Sequence, residues 1–178
     1  MSRPRPSTRR IVIFSIAALI LCSASTASAQ RDSDAGSGLV EATARAEAFF
    51  RAFTAKDMER VESFFAPDAR VQRARLGDGA AEIEAFDLAT WLAEAGPSIA
   101  PLRDFAIEVL GRSGASFGDG VTVSLHFRAT GAVGGGTFTN DGVDTFSFVN
   151  VDGVWKIALY QSIEKLVFVP GAASGADS

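Results

Sequence analysis

The hydrophobic positions of this chain follow two different periods, which divide it into a helical first half and a strand-rich second half. In the first half one apolar residue recurs every three or four positions, the spacing of one helix face: Leu39, Ala42, Ala46, Phe49 and Phe53. Two further helices are predicted after Asp57 and after Asp87, because aspartate is a favoured N-cap. Gly96-Pro97 is predicted to end the third helix.

Beyond residue 105, hydrophobic and polar positions alternate, which predicts strands with one buried face. The alternation is cleanest over residues 121–128, and a shorter strand is predicted over residues 68–75. Asn140-Asp141-Gly142 predicts a turn or a bulge. Helices followed by antiparallel strands are typical of an α+β domain, here a curved sheet with helices on one face.

The last two predicted strands can be aligned residue by residue if residues 150–153 form a four-residue loop. In that register Asp144 faces Leu159 and Gly142 faces Gln161, on the same side of the sheet as two bulky apolar pairs, Phe148 with Trp155 and Phe146 with Ile157. This side is expected to meet the helices. Tyr160 falls on the other side, which is free to contact water or a partner subunit.

The two ends of the chain differ in composition from its centre. Residues 1–29 combine a basic start, a short apolar run and the sequence Ala27-Ser28-Ala29, which predicts a signal peptide cut after Ala29 and an exported, periplasmic or secreted protein. Arg9-Arg10 leaves both ordinary and twin-arginine export open. Residues 30–38 are predicted to be a flexible lead-in, 39–169 the folded domain, and 170–178 a disordered tail.

Removal of the predicted signal peptide changes both charge and cysteine content. It takes away four arginines, which leaves 13 basic and 21 acidic residues and a net charge of −8. An acidic surface argues against nucleic acid and anionic membranes as partners of the mature protein. The only cysteine, Cys22, leaves as well, and a single histidine remains. We therefore predict no metal site and no cofactor.

Two segments connect this pattern to a known family. Phe64-Phe-Ala-Pro-Asp-Ala-Arg-Val71 and Asp152-Gly-Val-Trp-Lys-Ile-Ala158 resemble the nuclear transport factor 2-like superfamily, including its SnoaL-like branch, over about residues 39–166. The resemblance implies a cone: a curved antiparallel sheet with three N-terminal helices packed on its concave face, around an apolar pocket. Members of the superfamily include isomerases, cyclases, dehydratases and binding modules, so the fold alone does not choose a function.

Asp144 is the candidate general base. It shares the predicted inner face with Phe146 and Phe148, where lost hydration would raise its pKa toward neutrality. The alternative is a solvated position beyond the covered part of that face, near the predicted bulge. Gln161 is a candidate ligand contact at the position where relatives often carry a polar residue, frequently histidine. A glutamine cannot exchange a proton there, which weakens the case for acid–base catalysis.

The remaining candidate ligand contacts are Trp91, Asp68, Phe146 and Phe148. Trp91 resembles a pocket-wall aromatic, but its position on the third helix fits a core aromatic better. Asp68 lies in the family's Pro-Asp-Ala segment, where it either lines the pocket mouth or caps the turn. Three other groups of residues fit outer or solvated positions better: His126, Tyr160, and the arginines Arg70, Arg73 and Arg75. Convergence of Asp68, Arg103 and Asp144, as in epoxide hydrolases, is not indicated by their spacing.

Two functions remain open at this stage. The first is an exported domain whose pocket binds a small apolar or amphipathic molecule. The alternative is a cofactor-free isomerase, cyclase or dehydratase with Asp144 as general base and Gln161 orienting the substrate. A homodimer through the outer sheet face is compatible with both.

Overall fold

The computed structural model describes residues 36–76 and 81–170. The predicted signal peptide, the Gly77-Asp78-Gly79 break and residues 171–178 of the predicted tail lie outside the described residues. Of the predicted flexible lead-in, residues 36–38 are described and are helical. No helix in the described ranges has the length and hydrophobicity needed to span a bilayer.

Three helices precede or interrupt the first strands: α1 over residues 36–54, α2 over Met58–Ser63 and α3 over Leu88–Ile99. Both predicted N-caps are confirmed, since Asp57 accepts from the Arg60 amide at 3.0 Å and Asp87 from the Thr90 amide at 2.8 Å. The predicted stop at Gly96-Pro97 is wrong. α3 continues through Pro97 for two residues, because a proline near a helix end removes only one late hydrogen bond.

The sheet has six strands in the described part of the chain: β1 Phe65–Arg75, β2 Glu82–Asp87, β3 Arg103–Phe117, β4 Gly120–Val133, β5 Gly136–Val151 and β6 Val154–Val169. Their order is β2-β1-β6-β5-β4-β3, and all neighbours are antiparallel except β1 and β6. The predicted α+β class is confirmed. β2 is an addition that the periodicity did not indicate.

The core lies between the helices and one face of the sheet. The predicted stripe of α1 forms its centre, with Ala42 and Ala46 fully buried and Phe49 nearly so. Inward side chains of the three long central strands complete it: Val123 and Leu125 of β4, Phe146 and Phe148 of β5, and Ile157 of β6. The alternation of hydrophobic positions therefore identified the buried face of β4 and β5 correctly, and that of β6 as far as Ile157.

The register of the terminal hairpin differs from the predicted one in two ways. The turn contains only two residues, Asp152 and Gly153, both with positive φ, as an Asp-Gly type I′ turn requires. Beyond it, Phe148 pairs with Ile157 and Ser147 with Leu159, so that Ala158 is left unpaired as a bulge. This extra residue reverses the faces of β6 after Ile157, and Tyr160 points inward while Gln161 points outward.

Gly142 lies inside β5, in an uninterrupted ladder with β4. The turn or bulge predicted at Asn140-Asp141-Gly142 is therefore wrong. A Cβ at Gly142 would come within 2.8 Å of the Phe127 ring and within 2.6 Å of the Ile163 carbonyl oxygen. The glycine is present because an aromatic ring packs directly against its backbone.

Gly142→Ala is therefore expected to destabilise the fold by about 1–3 kcal/mol, the usual cost of forcing atoms into a packed interior. Gly120→Ala in β4 is the matched control, because its Cβ would meet nothing closer than 3.6 Å. Urea unfolding of the two variants and the parent measures the difference. Equal stability of both variants would contradict the close packing at Gly142.

Candidate functional site

A cavity of about 320 Å³ lies between helices α1 and α3 and the inner face of the sheet. Its deep wall is aromatic and includes Phe49, Phe53 and Trp91, the last only 5 % exposed. Apolar side chains of β5 and β6, Phe138, Leu166 and Phe168, line its other end, and the last two are at least half exposed. A small, largely apolar molecule suits such a lining.

Between the aromatic wall and the apolar end lies a group of polar side chains that we call the polar belt: Arg73, Arg75, Asn140, Asp144, Ser162 and Glu164. The strand register brings these residues together. Ser162 lies opposite Arg73 on one side and Asp144 on the other, and Glu164 lies opposite Arg75. Residues two apart along a strand share a face, so all six reach the cavity from the same side of the sheet.

Asp144 is the most deeply buried member of the polar belt, at 2 % exposure. The Tyr160 hydroxyl donates a 2.6 Å hydrogen bond to its Oδ2 atom. Its Oδ1 atom is buried and has no hydrogen-bond partner among the described residues. Burial raises the pKa of Asp144 to about 7; the hydrogen bond from Tyr160 and the neighbouring Ser162 hydroxyl oppose the rise, and Glu164 adds to it.

Tyr160 forms the other half of this pair. It is 7 % exposed, and its ring packs on Phe146 and Trp91 with centroid separations of 5.2 and 5.5 Å. Burial, together with the neighbouring Asp144 carboxyl, raises the pKa of Tyr160 well above its usual value. The phenol therefore stays protonated and acts only as a hydrogen-bond donor and acceptor.

The two arginines of the polar belt are held by carboxylates. Arg73 donates to Glu84 at 2.7 and 3.0 Å, and its guanidinium lies 5.1 Å from the centroid of the Phe86 ring. Arg75 approaches Glu84 at 3.4 Å and Glu164 at 3.6 Å. The Arg73 hydrogen bond lowers the pKa of Glu84. Strand β2 thus supplies one carboxylate, Glu84, that contacts both guanidinium groups of the belt, and Glu164 supplies a second one to Arg75.

The structure places the predicted site residues in three different environments. Asp144 and Trp91 line the cavity. Phe146 and Phe148 are buried in the core, outside the cavity lining. Gln161 and Asp68 do not line it: Gln161 donates to Gln72 at 2.8 Å on the outer face, and Asp68 is exposed. The predicted inner-face position of Gln161 is wrong because of the bulge at Ala158.

Some residues of the polar belt were missed by the sequence analysis or assigned to the outside. The predicted outer position of Tyr160 is wrong because of the same bulge at Ala158 that moves Gln161 outward. A solvated edge is predicted for Arg73 and Arg75, whereas both line the cavity; their spacing of two residues does put them on one face. Asn140 is predicted to lie in a turn, but it belongs to strand β5. His126 is exposed on the outer face, as predicted.

The structure does not bring Asp68 and Arg103 to Asp144, so the arrangement of the epoxide hydrolases is not formed by the described residues. The described residues contain no group of three or more histidine, cysteine, aspartate and glutamate side chains that could hold a metal ion. Asp68 and Arg103 are exposed and do not line the cavity with Asp144. The chemistry available in the described cavity therefore rests on one buried carboxyl group, one phenol and the remaining polar belt.

Comparisons with known proteins agree with the sequence resemblance. The profile of the SnoaL-like domain matches residues 46–159. No curated protein sequence matches the chain. Among solved structures, a scytalone dehydratase-like protein from Novosphingobium aromaticivorans superposes with a TM-score of 0.63 at 12 % identity, covering 82 % of this chain and 99 % of that one.

Two further structures superpose to a similar extent. The hexachlorocyclohexane dehydrochlorinase LinA-type3 from Novosphingobium barchaimii gives a TM-score of 0.62 at 16 % identity, with 80 % and 95 % of the two chains covered. The beta subunit of a protein described as an aromatic-ring-hydroxylating dioxygenase, from Novosphingobium aromaticivorans, gives 0.60 at 15 %, with 74 % and 91 % covered. At such identities the likeness shows the fold alone.

Proposed function

The chain belongs to the SnoaL-like domain family, and we propose that it is a cofactor-free enzyme that removes a proton from a small, mostly apolar molecule, with Asp144 as general base. The observation that carries this proposal is the buried Asp144 carboxyl group, which lines an apolar cavity and has a pKa of about 7. A base is most effective when its pKa lies near the working pH. Isomerases and lyases both begin with such a proton transfer.

The surroundings of Asp144 support a role in proton transfer. The Tyr160 hydrogen bond fixes Oδ2 and leaves Oδ1 as the oxygen that can accept a substrate proton. The aromatic wall excludes water, which keeps the carboxylate poorly solvated and therefore reactive. Tyr160 is a positioning residue in this scheme, because it orients the base and lowers the pKa of Asp144 by its hydrogen bond.

The base can be tested before the substrate is known, with nitrobenzisoxazole as probe. In this neutral aromatic compound a base removes the proton on the ring carbon beside nitrogen. The electrons of that C–H bond form a nitrile, the N–O bond breaks, and its electron pair stays on oxygen as a coloured phenolate. We expect catalysis to rise with pH as Asp144 ionises. Asp144→Asn should lower the rate by about 100-fold or more, the usual contribution of a general base.

Tyr160→Phe provides a second test through the pH–rate profile, which should not shift if Tyr160 has only a structural role. Without the phenol hydrogen bond, the pKa of Asp144 should rise, and the pH–rate profile should shift to higher pH. Asp141→Asn on the outer face of the same strand is the matched control and should leave the profile unchanged. Equal rates for the parent and Asp144→Asn would contradict the general-base proposal.

A non-catalytic binding module is the second candidate. It is favoured by two observations: the single histidine, His126, is on the outer face of the sheet, and Tyr160 stays protonated, so neither side chain exchanges a proton with Asp144. In that case Asp144→Asn would leave both probe turnover and ligand affinity close to those of the parent. Export of the protein, with the signal peptide cut after Ala29, remains part of either proposal.

A further inference from the structure

Asn140 lines the cavity, and its buried side-chain oxygen is unpaired among the described residues. Its side-chain amide Nδ2 donates to Glu164 Oε2 at 2.6 Å. Because the Glu164 carboxylate only accepts hydrogen bonds, this contact fixes the orientation of the amide and leaves Oδ1 as the free acceptor. That Oδ1 atom is buried and has no partner within the described residues.

The cavity wall therefore carries two unpaired acceptors on the same face of β5. Asn140 and Asp144 are four residues apart, which places their Cα atoms roughly 13 Å from each other. Gly142 lies between them without a side chain, and the Phe127 ring packs against it. Along β5 the order is therefore the Asn140 acceptor, the Phe127 ring against Gly142, and the Asp144 acceptor. Buried acceptors of this kind are costly unless a donor reaches them.

The charges of the polar belt argue against a charged ligand. Arg73 and Arg75 could attract an anion, but Glu84 and Glu164 already hold them, and Glu94 lies 3.6 Å from Arg73. An entering carboxylate would meet these acids without a free cation in the described cavity. An entering ammonium group would compete with arginines that are already bonded to the same carboxylates.

We infer that the cavity selects an uncharged molecule with an apolar ring body and a hydroxyl or N–H group, and that this group donates to Asn140 Oδ1. The inference rests on the proposed function only in that the ligand occupies the same cavity as the reacting group. Asn140 is then a specificity-determining residue, because it recognises a hydrogen-bond donor at the end of the ligand away from the aromatic wall. Asp144 faces the position of the ligand that loses a proton.

Four naphthalene compounds separate the properties involved: naphthol, naphthyl methyl ether, naphthoate and naphthylmethylammonium. They share the ring body and differ in donor capacity and charge. Isothermal titration calorimetry of the full chain is expected to show naphthol binding about five- to tenfold tighter than the ether, the effect of one hydrogen bond to a buried acceptor. Naphthoate and the ammonium compound should both bind more weakly than naphthol.

Asn140→Leu removes the acceptor while keeping the size of the side chain. Naphthol affinity should fall five- to tenfold, to that of the ether, and ether affinity should stay unchanged, which also shows that the cavity is intact. Gln161→Leu is the matched control, because it removes an amide on the outer face of the sheet. If Asn140→Leu fails to fold, Asn140→Ala, which also removes the acceptor, takes its place in the same comparison.

Three results would overturn the inference: equal affinity for naphthol and ether in the parent, naphthol preference retained in Asn140→Leu, or tightest binding of either charged compound. These affinities are equilibrium values and require no turnover. If the parent and Asp144→Asn turned over the probe at equal rates while the four compounds bound in the expected order, the proposed enzyme would be refuted and the Asn140 assignment would stand. The reverse pattern would refute the Asn140 assignment alone.

Discussion

Asp144→Asn is expected to make the protein more stable than the parent at neutral and alkaline pH. In the folded protein burial raises the pKa of Asp144 to about 7, whereas the ordinary value is 3.8. As pH rises between these values the unfolded chain ionises and the folded protein does not, so the parent loses stability. Each pKa unit corresponds to about 1.4 kcal/mol, which gives a loss of roughly 4 kcal/mol above pH 7.

Asparagine avoids this loss because it is uncharged at every pH and can still accept the Tyr160 hydroxyl. The stability difference between variant and parent should therefore be smallest near about pH 4 and should grow by several kcal/mol as the pH approaches about 8. Urea unfolding of both proteins across this range measures it. A gap that is constant, or that narrows with rising pH, would contradict the buried, poorly solvated state of Asp144.

Asp141→Asn gives the control with the opposite sign. Asp141 is on the outer face of the same strand, and its hydrogen bond with Arg128 lowers the pKa of Asp141. The parent therefore keeps this small stabilisation above the ordinary pKa and loses it as the pH falls. The Asp141→Asn variant should be slightly less stable than the parent at neutral pH, with the gap closing in acid. The stability of the variant relative to the parent should thus rise with pH for Asp144→Asn and fall with pH for Asp141→Asn.

Phe49→Ala is expected to destabilise the protein by about 3–5 kcal/mol, the cost of removing a large buried aromatic ring. Phe49 is 1 % exposed, and its ring lies 5.3 to 6.4 Å, centroid to centroid, from those of the aromatic side chains around it: Phe50, Phe53, Phe64, Phe65, Trp91, Phe146 and Tyr160. The ring joins α1 to α3 and to the inner face of the sheet.

Thermal and urea unfolding of Phe49→Ala, compared with Phe117→Ala, measure this effect. Phe117 is 74 % exposed at the end of β3, and its replacement should change stability by less than about 0.5 kcal/mol. Phe49→Leu, which keeps more of the volume, is expected to fall between the two and covers the case in which Phe49→Ala does not fold. Similar losses for Phe49→Ala and Phe117→Ala would contradict the central position of Phe49 in the core.

The catalytic and the structural predictions for Asp144 have one physical cause. Burying the carboxyl group raises its pKa, and the same raised pKa costs stability at the pH where the base is useful. Binding sites commonly carry such a cost, because a fully solvated carboxylate would be stable but unreactive. A variant that gains stability and loses probe turnover together would connect the two effects to this one side chain.

The sequence by itself determined the class of fold and most of the buried face. A helix with 3.6 residues per turn and a strand with a period of two leave different patterns of apolar residues, and each pattern depends only on local geometry. For this reason the sequence alone predicted the apolar stripe of α1, the N-caps Asp57 and Asp87, and the inward positions of Phe146 and Phe148. The burial of Asp144 followed from its place among those apolar positions.

Only the tertiary structure decided which polar groups share the cavity. A single unpaired residue, Ala158, reverses the face of every later residue in β6, and nothing in the local sequence requires a bulge at that position. It moved Tyr160 onto Asp144 and Gln161 to the outside. Strand pairing likewise brought Arg73, Arg75 and Glu164 together from distant parts of the chain. Local periodicity determines which side chains are buried, but the register between strands determines which of them meet.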